Sequence, residues 1–448
     1  MDTLGTQAPH LSQRIAIVAV LAAMAMAVLD AAIANIALPT ISRSLGVSPA
    51  AAVNVITAYQ LGLVMMLLPA STLGESFGYR RVFTAGGGLF TAASLLCALS
   101  PSLEWLVAAR FLQGIGGAGI MALGVALLRA VVRVDQFGAA IGWNAVVVAL
   151  STAAGPTIGA TILSFAPWPW LFAFNLPIGA LVLFAAQALP ETTASRRSID
   201  PISGALNAIV FMCLVIGAQA LPSQAPAGGA LLAIALVCAL TLIRRESGRE
   251  TPLVPLDLLR TRAFRISVAA SILCFTGQTA ALIALTFELQ SNTGLSPIMT
   301  GVYLLSWPLA IAASGPIAGQ LAKPAATAWL CLAGGMMMAV GLATAALSSP
   351  QAAPLQFVLC MALCGAGFAL FNVPNNRSMF LSAPAERSGA AGGLQSAARL
   401  TGQIFGAVTM SLMFRWAPLD DAPVVGLTLG AALTLAAGAV SLLHLRRA

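Results

Sequence analysis

A single carboxylate, Asp30, stands inside the apolar run IAIVAVLAAMAMAVLDAAIANIALP. An acid in such surroundings is costly to ionise. It therefore points to a functional role, binding and releasing a proton, or else to a hydrogen bond with a neighbouring helix. A second charge, Arg110, lies in the apolar segment AARFLQGIGGAGI, with Gln113 three residues on and so on the same helical face. Counted at 1.5 Å per residue, Asp30 lies roughly 22 Å into its segment and Arg110 roughly 9 Å below the opposite surface. The two reach a similar depth and can pair. Arg110 does not deprotonate in practice, so its expected role is electrostatic bias on the acid or a structural ion pair. Glu288, near the end of a later apolar segment, is a second acid for proton coupling if it faces the interior. Arg399, counted roughly 15 Å into its segment, must find an acid, carbonyls or an anionic ligand.

The elements that carry these charges are long and apolar. Hydrophobic residues make up 59% of the 448-residue chain and charged residues 8%, far below the roughly 25% of a soluble domain. Fourteen spans are read at 15–36, 52–73, 82–100, 104–126, 138–163, 168–189, 203–221, 228–243, 265–289, 298–321, 325–347, 355–377, 389–414 and 424–443. Their length and lack of alternation predict helices, an all-α polytopic membrane protein. The segment 228–243 is short for a perpendicular crossing, so 203–243 has a partly inserted hairpin as its alternative.

Charge orients the chain. Arg14, Arg80, Arg81, Arg129, Arg133, Arg196, Arg197, Arg244, Arg245, Arg249, Arg260, Arg262, Arg265, Lys323, Arg387, Arg446 and Arg447 fall on one side, against Arg43 and Arg415 on the other. That asymmetry predicts cytoplasmic loops on the Arg-rich side and both termini inside, in a bacterial inner membrane. It also accounts for the net charge of +8 without nucleic acid. A cleaved signal peptide is disfavoured for the first span by its length and by Asp30. The seven cysteines all fall within spans, which favours packing over disulfides or metal binding.

The connections suggest six spans, two, then six. The expected divisions are an N-terminal tail 1–14, a first half 15–189, a linker 190–264 with two extra spans, a second half 265–443 and a tail 444–448. The second span ends PASTLGESFGYRR and the tenth GPIAGQLAKPAAT, a weak internal echo. Repeated halves with a site between them are common in secondary transporters.

Several segments then form an ordered set: LDAAIANIALP, LGESFGYRR, RFLQGIGGAGI, GWNAVVVALSTAAGPTIGA, WPWLFAFNLPIG, GFALFNVPNNRSM and ERSGAAGGLQSAARLTGQ. In this order they resemble the major facilitator superfamily and, within it, the fourteen-helix drug:proton antiporter family. LGESFGYRR is similar to the cytoplasmic gating motif G-x-L-x-D-R-x-G-R-R through Glu75, Gly78, Arg80 and Arg81, with Ser71, Ser76 and Tyr79 as departures. The fifth span is similar to the antiporter motif through Gly142, Gly155, Pro156 and Gly159, with Ser151 and Ala160 in place of glycines. Gly155-Pro156 predicts a helix bend; the resemblance implies that this bend seals a cavity against proton leak.

The resemblance implies a major-facilitator-like fold. It also implies efflux of small lipophilic, cationic drugs in exchange for protons by alternating access, with Asp30, Arg110 and Glu288 coupling the proton. Asn35, Gln113, Trp143, Asn144, Asn175, Gln278, Trp307, Asn372 and Arg399 are candidates to line an apolar pocket with a few polar anchors. The expected partners are a small-molecule substrate, protons and the bilayer, for a monomer that needs no cofactor beyond the proton gradient and has no metal. Rival readings are an exporter of one specific metabolite, an anion included, and a proton symporter for uptake. A membrane sensor or scaffold would be a different class, and no loop carries the groups an enzyme needs.

Overall fold

The computed structural model describes residues 10–132, 137–191, 200–247, 249, 252–253, 255–323, 326–348, 350–384 and 387–447. Fourteen helices organise it: α1 (His10–Leu45), α2 (Asn54–Phe77), α3 (Tyr79–Ala98), α4 (Leu103–Val131), α5 (Phe137–Phe165), α6 (Asn175–Ala185), α7 (Pro201–Ala220), α8 (Ala225–Glu246), α9 (Arg262–Phe287), α10 (Pro297–Leu321), α11 (Thr327–Leu347), α12 (Pro354–Leu381), α13 (Ser388–Trp416) and α14 (Ala422–Ser441). Four-residue turns, Pro49–Ala52 and Trp170–Ala173, lead into α2 and α6. Among the described residues there is no strand. Hydroxyls set several starts: Ser102 accepts from the Trp105 amide at α4, and Ser296 from the Met299 amide at α10.

Thirteen helical segments are long and apolar enough to cross a membrane. The helix outside that set, α13, is 29 residues long but is diluted by Gln395, Arg399 and Gln403. It packs against α9, α14 and, across the junction, α2. Prolines mislead about length. Helix α1 runs on through Pro39 to Leu45, beyond the expected end at 36, because one lost hydrogen bond is tolerated inside a packed bundle. Likewise α5 continues as helix through Pro156. The pair α7 and α8 are full helices of 20 and 22 residues, so the partly inserted hairpin is not what forms.

Helix packing repeats with an offset of eight. In α1–α6 the main pairs are α2 with α4, α3 with α4, α1 with α5, α1 with α6 and α3 with α6; in α9–α14 they are α10 with α12, α11 with α12, α9 with α13, α9 with α14 and α11 with α14. The two sets meet as α5 on α10, α2 on α13 and α1 on α9. Six helices packed twice in one pattern, with swapped pairs across the junction, is the arrangement of a two-fold repeat. Helices α7 and α8 pack on each other, and α7 bridges α2 and α13. Asn207 donates to the Met65 carbonyl at 3.0 Å, and Arg415 to the Gln219 carbonyl at 3.0 Å.

One face of the bundle carries the α1–α2 connection at Gly46, the other the α2–α3 turn at Gly78. On the Gly46 face the two sets of six are sealed together. Gln290 donates to the Ile36 carbonyl at 2.9 Å and Ser411 to the Ala50 carbonyl at 3.0 Å. A Cβ at Gly301 of α10 would sit 3.0 Å from the Pro156 carbonyl oxygen of α5. On the Gly78 face, Arg245 donates to both oxygens of Asp200, at 3.0 and 3.2 Å, and locks the base of α7 to that of α8. Arg245 beside it holds the Asp200 carboxyl well below the usual carboxylate range.

Glycine sets the spacing within the first six helices. A Cβ at Gly114 of α4 would collide with the Tyr59 carbonyl of α2, and one at Gly155 of α5 with Ala32 of α1. Gly114→Val should therefore lower stability by about 1–3 kcal/mol through overpacking. Gly88→Ala, which meets nothing within 4 Å, should leave it unchanged; thermal unfolding of the detergent-solubilised protein separates the two.

Candidate functional site

Four helices of the first half converge on Asp30. The α1 carboxylate is 1% exposed and receives three donors. Arg110 of α4 donates to Oδ2 at 2.5 Å, Gln113 of α4 to Oδ1 at 3.0 Å, and Asn175 of α6 to Oδ1 at 2.6 Å. Ser94 of α3 sits behind, accepting from Gln113 at 2.8 Å and donating to the Phe90 carbonyl at 2.8 Å. Cys97 of α3 lies 3.8 Å from the Gln113 carbonyl oxygen.

Arg110 has partners beyond the acid. Its Nε donates to the Val55 carbonyl of α2 at 3.2 Å, and its NH1 group to Gln113 Oε1 at 2.6 Å. Its guanidinium carbon lies 4.3 Å from the centroid of the Tyr59 ring and 5.4 Å from that of Phe172. Tyr59 is tied in turn to α1 by a hydroxyl bond to the Ala27 carbonyl at 3.2 Å. Every charge in this knot is buried, and every one is matched. Such a pair is held by hydrogen bonds on all sides because an unpaired ion here costs several kcal/mol.

The sequence placed Gln113 and Asn175 in a substrate pocket. The structure places both inside the Asp30 network, fully buried, where their amides compensate the carboxylate. Glu288 does not join them. It lies in a π-helical turn at the far end of α9, half-buried, and accepts from Asn292 at 2.8 Å. Trp143 is 64% exposed on α5 instead of enclosed, and Trp307 is buried in the apolar core, its indole nitrogen without a partner among the described residues. Asn35, Asn144 and Asn372 each keep a buried side-chain oxygen without a partner among the described residues. Gln278 is half-buried on α9, and Arg399 half-buried on α13. The antiporter-motif residues serve close packing: Gly155 and Gly159 on α1, Pro156 on α10; the surroundings of Gly142 lie outside the described residues.

Residues 20–407 match the family described as the Major Facilitator Superfamily. The chain belongs to the Major Facilitator Superfamily. It is 40% identical over 431 residues to the Escherichia coli K12 protein described as "Uncharacterized transporter YebQ", covering 95% of this chain and 94% of that one. It is 32% identical over 400 residues to "Multidrug resistance protein Stp" of Mycobacterium tuberculosis, covering 87% and 74%. In fold it is similar to the crystal structure of an auto-inhibited POT family peptide transporter, with TM-score 0.71, 14% identity and 97% of each chain covered. This superfamily member is a multi-pass membrane transporter and not an enzyme.

The α2–α3 turn lines a cleft on the Gly78 face. Gly78 takes φ +96°, a conformation that side chains resist, and so turns α2 sharply into α3. Phe77, Gly78, Arg80, Arg81, Thr84, Ala85 and Glu191 line about 510 Å³. Arg80 lies 3.8 Å from Glu191 beyond α6, a partner that sequence reading did not single out. Ser94, Cys97, Tyr59 and Phe172 were missed likewise. A serine or cysteine in an ordinary helical run gives no signal of the charge it will face.

Arg110→Met should destabilise the transporter by about 3–5 kcal/mol, since it strands a buried carboxylate. Adding Asp30→Asn to that variant should recover a large part of the loss. A double-mutant cycle on thermal unfolding measures the coupling.

Proposed function

We propose that this transporter is a proton-coupled efflux antiporter for small lipophilic, cationic compounds, working by alternating access of halves 15–189 and 265–443. The observation that carries the reading is Asp30, a carboxylate withheld from solvent and held by Arg110. Desolvation favours the neutral form of a carboxyl group and a nearby guanidinium the charged form, so a rearrangement that alters either can load or release a proton. A relative named for multidrug resistance supports the drug class.

In this cycle Asp30 takes a proton when its network opens outward and yields it to the cytoplasm as cargo binds. The seal on the Gly46 face, through Gln290, Ser411 and the α5–α10 crossing, closes the path to the outside in the conformation seen here. Pro156 holds that crossing tight, Gly155 and Gly159 hold α5 against α1, and Glu75, Gly78, Arg80 and Arg81 gate the cytoplasmic face. Asn35, Asn144, Gln278, Trp307 and Asn372 contribute polar anchors to the cargo path, and Glu288 serves as a second acid at its outer end. The protein acts as a monomer in the bacterial inner membrane, termini inside, and draws on the proton gradient without a cofactor.

One observation favours a second reading, export of a specific anionic metabolite. Arg399, half-buried on α13, has no acceptor among the described residues. An unpaired guanidinium at this depth attracts an acid and repels an ammonium.

In proteoliposomes with an imposed pH gradient, ethidium export should occur in the wild type and fall at least tenfold in Asp30→Asn. Unchanged export by that variant defeats the antiport mechanism. Arg399→Gln should leave ethidium export intact or raise it; if it abolishes transport of fluorescein while ethidium is never moved, the anionic reading replaces the cationic one.

A further inference from the structure

The Asp30–Arg110 pair poses a problem that the rest of the site answers. When a buried carboxylate takes up a proton, its cationic partner is left without a counter-charge in a water-poor interior, and that loss would oppose protonation strongly. Arg110, however, keeps four partners that remain when Asp30 is neutral. These are the Val55 carbonyl at 3.2 Å, the Gln113 carbonyl oxygen at 2.6 Å, and the rings of Tyr59 and Phe172 at 4.3 and 5.4 Å. Aromatic faces attract a guanidinium, and the attraction grows as water is excluded.

We infer that Tyr59 and Phe172 form an aromatic cradle that holds the Arg110 cation while Asp30 is neutral, and so make the acid usable as a proton carrier. They are positioning residues, acting through Arg110. The inference rests on the reading of Asp30 as the proton site. Its logic is differential: the ionised carboxylate competes for the guanidinium charge, whereas once Asp30 is neutral that charge turns wholly to the rings and carbonyls, and these contacts strengthen. Removing a ring thus penalises the protonated state more than the ionised one.

Other charges around the pair are few. Helix α3 brings Cys97, α6 only the amide of Asn175, and α2 only Tyr59. Helix α5 carries no charged residue, and those of α9 lie at its ends, Arg262 and Arg265 at one and Glu288 just beyond the other. Across the junction, α13, which packs on α2, carries Arg399. The cradle is therefore the main group around Arg110 whose removal leaves the nearby charges in place.

The test is a proton-uptake titration of the detergent-solubilised full chain, with the Asp30 step taken as the difference between wild type and Asp30→Asn. Tyr59→Leu and Phe172→Leu should move that step about 0.5–1 pH unit towards acid, the shift expected for one cation–π contact. Tyr59→Phe keeps the ring but loses the bond to the Ala27 carbonyl; its step should stay where the wild type has it. A step unmoved in both leucine variants, or moved equally by Tyr59→Phe, overturns the cradle and leaves the antiporter reading standing. Absence of any Asp30-dependent step overturns that reading and the cradle together. Phe172→Leu and Tyr59→Phe, checked for an unaltered melting temperature, keep the test decisive if Tyr59→Leu does not fold.

Discussion

The first half of this transporter is built around one buried ion pair. Asp30 and Arg110 come from helices α1 and α4, and neither is stable in its place without the other. That requirement reaches outward. Gln113 and Asn175 occupy the remaining face of the carboxylate, Ser94 supports both amides, and the Val55 carbonyl and Tyr59 fix the guanidinium. Five helices are thereby constrained by one site. Close approach of α2 and α4 at Gly114 is what allows the Tyr59 ring and the Val55 carbonyl to reach Arg110 at all.

The second half has no counterpart to this knot. Its core is apolar: Phe275 meets Phe368 edge to face at 5.4 Å, and Tyr303 meets Phe357 at 5.5 Å. Its deep cation, Arg399, is left to face the junction. One half thus carries a neutralised pair and the other an open charge, although the same helix-packing pattern builds both. A repeat of architecture does not impose a repeat of chemistry, because pairwise helix packing depends on small residues along the contacts and leaves the interior side chains free to differ. The contrast is in chemistry: a self-contained buried ion pair in α1–α6, and a half-buried cation without an acceptor among the described residues in α9–α14.

The seal on the Gly46 face depends on backbone carbonyls more than on side-chain pairs. Gln290 and Ser411 each donate to a carbonyl of the opposite half, and Gly301 brings α10 onto α5 beside Pro156. Contacts of this sort are easily made and broken, since each releases or recovers a single hydrogen bond of about 0.5–1.5 kcal/mol net. That is the energy scale on which two alternating states remain close to balance.

Sequence alone determined the all-helical, polytopic character and the order of the long apolar helices, and marked Asp30 and Arg110 as charges set inside apolar segments, because length, hydropathy and the cost of burying charge act on the chain locally. Helix ends beyond Pro39 and the full length of α7 and α8 were less legible, since a proline or a short apolar core reads as a stop when packing partners are unseen. Tertiary structure decided the rest. It brought Gln113 and Asn175, expected in a pocket, onto the Asp30 carboxylate, set Glu288 apart, and recruited Ser94, Tyr59 and Phe172, none of which carries a charge to give it away. The physical reason is that helix rotation and crossing, fixed by distant contacts, choose which face of a span meets the buried charge, and no local property of the chain encodes that choice.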